Sequence, residues 1–119
     1  MNRYVQLVVA AALALALVGC APPRYAVRVT NLADQPVTAS LWEQAEGSSR
    51  ARVSRYIGPQ DTYTLSTESK AGRNIWLAVD FAGSERGPEE LPLSRGLTVV
   101  NVRRIDEGSR GRIQLQEVP

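Results

Sequence analysis

From Tyr25 to the C-terminus, apolar residues tend to fall at every second position, and short clusters of Gly, Pro, Asp, Asn and Ser interrupt them. Period two marks a strand with one face turned to a core. Tyr25, Val27 and Val29 alternate with Ala26, Arg28 and Thr30; after Ala33-Asp34-Gln35-Pro36, Val37, Ala39 and Leu41 alternate with Thr38, Ser40 and Trp42. Glu46-Gly47-Ser48-Ser49 ends that unit. Ala51, Val53 and Ile57 form a weaker strand, flawed by Arg55 on the same face, and the turn Gly58-Pro59-Gln60-Asp61 leads into Tyr63 and Leu65. Residues 67–73 are polar and loop-like. The clearest strand follows, with Ile75, Leu77, Val79 and Phe81 on one face and Trp76, Ala78 and Asp80 on the other. A polar loop runs from Gly83 to Pro92. Leu97 to Ile105 returns to strand, where Val99-Val100 breaks the alternation in the manner of a strand covered on both faces. Asp106 to Gly111 reads as a turn before Ile113, Leu115 and Val118.

About seven short strands at roughly 10–15-residue spacing, with no amphipathic helix, predict an all-β domain over residues 25–119. The expected architecture is a small antiparallel β-sandwich of immunoglobulin-like type, without the disulfide of antibody domains. A small closed or half-open barrel is the alternative.

The first 19 residues differ in kind. Arg3 and the amino terminus supply positive charge, Leu7 to Val18 is an unbroken apolar run, and Gly19 precedes Cys20. A helix of that run spans about 18 Å, against roughly 30 Å of bilayer hydrocarbon, so a removable secretory signal helix is predicted rather than a membrane span. Cys20 to Arg24 forms a short tether, stiffened by Pro22-Pro23.

Leu17-Val18-Gly19-Cys20 resembles the lipobox of bacterial lipoproteins. The resemblance implies cleavage between Gly19 and Cys20, a diacylglycerol on the Cys20 thiol, and often a further acyl chain such as palmitate on the new amine. Two or three chains are needed for lasting attachment, because one binds membranes only marginally. Ala21, where enteric inner-membrane lipoproteins carry aspartate, implies the outer membrane facing the periplasm in preference to the inner membrane. An ordinary signal cut after Ala21 is the alternative, and Pro22 just beyond that bond weighs against it. The mature part also resembles small β-sandwich lipoproteins of bacteria in Val27 to Asn31, Gly58 to Leu65 and Leu97 to Val99.

Charge and rare residues exclude more than they suggest. The formal net charge is +2, which gives no field for steering a nucleic acid, and no aromatic residues interleave Arg103, Arg104, Arg110 and Arg112. With no histidine and Cys20 as the only cysteine, histidine-dependent triads, the usual zinc sites and an internal disulfide are all excluded. The chain is expected to be no enzyme and to hold no metal or cofactor. The acidic pairs Glu89-Glu90 and Asp106-Glu107 are sequence neighbours, where glycoside hydrolysis needs carboxyls facing each other across a cleft. Asp80 interrupts an apolar strand and is expected to face solvent or to pair with a neighbouring arginine.

Two groups remain as candidate binding sites. If Leu41 and Leu77 face the core, Trp42 and Trp76 share the opposite face and could anchor a protein or a sugar ring. Arg103, Arg104, Arg110 and Arg112 flank the last turn and could meet anionic headgroups, with a solvated hairpin balanced by Asp106 and Glu107 as the plainer reading. The expected function is that of a non-enzymatic binding or scaffolding lipoprotein, an accessory subunit of an envelope complex. The alternative is a glycan- or small-ligand-binding periplasmic lipoprotein.

Overall fold

The computed structural model describes residues 23–69, 73–81, 87–107 and 110–119, with only the backbone of Asp106, Glu107 and Arg110. Eight strands follow in chain order: β1 (Arg24–Asn31), β2 (Val37–Ala45), β3 (Ser48–Ile57), β4 (Thr62–Glu68), β5 (Asn74–Phe81), β6 (Glu89–Pro92), β7 (Gly96–Glu107) and β8 (Arg110–Val118). There is no helix among the described residues. The strands form two four-stranded sheets, sheet A in the order β4-β1-β7-β8 and sheet B in the order β3-β2-β5-β6.

Alternation explains how the sheets meet. Val27 and Val29 of β1, Val100 and Val102 of β7, Leu65 and Ile113 share one buried apolar cluster with Val37, Ala39 and Leu41 of β2, Leu77 and Val79 of β5, and Ile57. The inner faces of both sheets thus contribute to a single core, and the fold is sandwich-like and all-β. Arg28 and the other intervening residues of β1 stand on the outer face, as the period-two pattern requires.

Several local features depart from the sequence reading. The count is eight strands because Glu89-Glu90-Leu91-Pro92, within the loop expected from Gly83 to Pro92, adds to the edge of sheet B beside β5, where a proline is tolerated. Sheet A is mixed, since β1 pairs with β7 in parallel, Tyr25 beside Gly96 and Asn31 beside Val102; hydrophobic alternation carries no information on strand direction. The ladder between β2 and β3 shifts at Leu41/Trp42, so Ala51 pairs with Trp42 and is exposed instead of facing the core with Val53. Val99 is half-buried beside Val118 and Leu97 is exposed, so the outer face of β7 is not covered by a second layer. The strands β7 and β8 also run through Glu107 and from Arg110, shortening the last turn.

Arg55 ceases to be a flaw once its surroundings are known. It lies at the rim where edge strands β3 and β4 of opposite sheets meet, with its guanidinium 5.8 Å from the Tyr63 ring centroid, a cation–π distance. The opposite rim is spanned by Arg112 Nε and Glu89 Oε1, 3.4 Å apart.

Hydrogen bonds define the two ends of the domain. At the end where β1 begins, the Ser69 amide donates to the Pro23 carbonyl (3.1 Å). At the far end the fully buried Asn31 side chain donates to the carbonyls of Gln35 (2.8 Å) and Ile57 (3.1 Å), and its oxygen accepts from the Ala33 amide (3.0 Å). Asn31 therefore ties β1 to the turn before β2 and to the end of β3, satisfying backbone groups that a buried corner would otherwise orphan.

Candidate binding face

Trp42 and Trp76 are opposite one another in the β2–β5 ladder, with the fully buried pair Leu41 and Leu77 beside them. Alternation sends both indoles to the outer face of sheet B, where they are half-buried. Their centroids are 6.4 Å apart and their planes 13° from parallel, an offset stack. The ladder extends this row to Ala51 on one side and Pro92 on the other. Polar residues border it: Gln44 and Asn74 toward the end where β1 begins, and Ser40 and Ser54, whose hydroxyls are 2.8 Å apart, toward the far end. Beside Trp76 an open groove of about 690 Å³ is lined by Gln44, Asn74, Ile75, Glu90, Pro92 and Leu93.

Directly behind the tryptophans lies a group the sequence reading missed. Glu43 follows Trp42 and so points inward, into the end of the core where β1 begins, with 1% of its surface exposed. Its Oε2 accepts from the Ser69 hydroxyl (2.8 Å) and its Oε1 from Arg73 Nη1 (2.5 Å). Arg50 Nη2 lies 3.6 Å from Oε1 and Arg52 Nε 4.0 Å from Oε2. The register shift in β3 matters here, because Arg50 becomes the ladder partner of Glu43 while Arg52 occupies the irregularity next to it. The Ser69 hydroxyl, then the hydrogen bond and charge of Arg73 and the charge of Arg52, hold the carboxyl below its ordinary value of 4.5, against burial, which pushes it up. Glu43 is thus held as a carboxylate. The sequence did carry one signal for it, an acid at the core-facing parity after Val37, Ala39 and Leu41; the bulge hid its β3 partners Arg50 and Arg52.

The remaining candidates are scattered. Arg103, Arg104 and Arg112 sit on the extension of β7 and β8 at the far end, beyond the pairing of Asn31 with Val102. Arg103 is exposed, Arg104 Nη1 is 3.6 Å from Asp34 Oδ1, and Arg112 meets Glu89 as described. Gly111 leaves room for Arg104, since a β-carbon there would collide with its guanidinium. The side chains of Arg110, Asp106 and Glu107 lie outside the described residues, as do Gly19 and Cys20. Asp80 is half-buried beside Thr38 on the outer face of sheet B, and Glu90 is exposed beside Ala78. No protein-family model matches the chain, and no curated protein matches it at a significant level.

Proposed function

We infer that this chain is a lipid-anchored protein of the bacterial envelope, fixed through Cys20, whose β domain binds a protein partner through the outer face of sheet B. The supporting observation is the stacked Trp42–Trp76 pair, set in a row with Ala51 and Pro92 and bordered by hydrogen-bonding side chains. Paired aromatic residues inside a polar rim are the usual make-up of an energetic centre in a protein interface. In offset stacking each indole gives part of one face to the other, which favours contact along the row over a sugar ring lying flat on both. The reading is non-enzymatic: the buried carboxylate has both oxygens occupied, which suits a structural role and not proton transfer. An immunoglobulin-like sandwich is the fold that belongs to this reading. Two facing sheets of four strands support it, with the parallel β1–β7 pair as a variation.

A second reading draws on the groove beside Trp76, whose free ring edge, Asn74, Gln44 and Glu90 could hold a glycan or small ligand. One experiment separates the two. A photo-crosslinking residue placed at Ser54, next to the tryptophan row, should capture one dominant envelope protein in the living cell. The Trp42→Ala/Trp76→Ala chain should lose that product while keeping its level. Absence of any protein product, with tryptophan fluorescence that responds to peptidoglycan or lipopolysaccharide fragments, replaces the first reading by the second.

A further inference from the structure

We propose that the tether end of the domain is a docking surface for anionic phospholipid headgroups, built from Arg50, Arg52 and Arg73 around Glu43 and extended by Arg24 and Arg95. The inference rests on the lipid anchor at Cys20 and adds the face that the domain turns to its own membrane.

Three guanidinium groups lie within 4.0 Å of one carboxylate. One negative charge cannot neutralise them, and their mutual repulsion favours a further anion at the same place. Arg50, Arg52 and Arg73 each retain solvent exposure, with 59%, 34% and 29% of their side-chain surface accessible, while Glu43 is sealed beneath them. The positive groups therefore face outward and the negative one inward. A guanidinium with one edge on a carboxylate still offers donors to a phosphate, and its planar fork suits two phosphate oxygens.

Position supplies the second argument. The cluster is wired to the tether: the Ser69 hydroxyl binds Glu43 and the Ser69 amide binds the Pro23 carbonyl. Between Cys20 and Arg24 the chain reaches at most about 3.6 Å per residue, so the cluster stays near the headgroups however the domain pivots. Arg24 begins β1 at the same end, exposed and with its Nη2 3.2 Å from Glu68 Oε1, and exposed Arg95 precedes Gly96, the partner of Tyr25. The arginines of the β7–β8 hairpin sit at the opposite end. At roughly 3.3 Å per residue, the length of β1 and the extension of β7 separate the two groups by more than the tether. Attraction to an anionic leaflet falls off within a Debye length of about 8–10 Å, which favours the nearer set.

The test uses the processed, full-length chain purified from bacterial membranes and reconstituted in vesicles. Intact mass is read first, then arginine modification by phenylglyoxal, mapped by peptide mass spectrometry. In vesicles containing phosphatidylglycerol, Arg50, Arg52 and Arg95 should react several-fold more slowly than in pure phosphatidylcholine, and high salt should erase the difference. Arg103 should react equally in both. Arg50→Gln/Arg95→Gln, which leaves the Arg73–Glu43 bond in place, should fold normally and weaken the protection remaining at Arg52. Equal modification of Arg50 in the two lipids overturns the docking surface, as does protection at Arg103 instead. A mass without acyl chains overturns the anchor itself and the inference with it.

Discussion

Glu43 shows how one side chain can set the character of a region. It is the end of a core-facing row, and it brings three arginines and a serine to one end of an otherwise apolar interior. The arginines around it reach water, so Glu43→Ala forfeits chiefly its hydrogen bonds to Ser69 and Arg73 and should destabilise by about 1–3 kcal/mol, measured by urea unfolding. The same residue should give an acid limb to stability. Its folded-state value is lowered, so the unfolded chain binds more protons in that window. The stabilisation is complete above the ordinary value of 4.5 and is lost as pH falls through the depressed value. Glu43→Gln should flatten this part of the stability–pH curve; an unchanged slope would mean that the arginines do not hold the carboxylate in solution. Asn31 offers a comparison without charge. Asn31→Leu deletes three hydrogen bonds, two of them buried, and orphans their backbone partners, a loss of roughly 2–4 kcal/mol in the same measurement.

Among the elements, the turns and edges hold the structural detail. Gln60 takes left-handed backbone (φ 67°) at the third position of the Gly58–Asp61 turn, where the Asp61 amide bonds the Gly58 carbonyl (3.1 Å). A side chain there is strained, so Gln60→Gly should raise stability by roughly 0.5–1 kcal/mol, readable as a higher denaturant midpoint. On the outer face of sheet B, Trp76→Phe should abolish the far-ultraviolet exciton couplet expected of the stacked indoles while costing no more than about 1.5 kcal/mol. Long, strictly alternating strands such as β1, β2 and β5 were legible from sequence because period two translates directly into an inner and an outer face. The outward Trp42 and Trp76 followed from the same parity. What escaped were features that parity cannot encode: the register shift that turns Ala51 outward, the short polar β6, and the parallel pairing of β1 with β7. The Glu43 cluster fell in the same blind spot, since its partners come from three separate segments and one of them lies at the irregularity.

At the scale of the molecule, the two sheets depend on a single cluster of small and medium aliphatic side chains, with Val79 fully buried on the second strand from the edge of sheet B. An unpaired charge has nowhere to go in so lean a core, and Val79→Asp should yield a chain unfolded by circular dichroism. The topology also has a kinetic side. Strand β1 is flanked by β4 and β7, and its parallel neighbour begins with Gly96 opposite Tyr25. Sheet A consequently cannot close while the chain is still emerging, because β1 waits for a partner encoded near the other terminus. Such distant pairing gives a high contact order and slow folding, with hydrophobic strand edges unprotected in the interval. A chain of this design, if threaded across a membrane N-terminus first, spends that interval as a client of whatever holds unfolded segments on the far side.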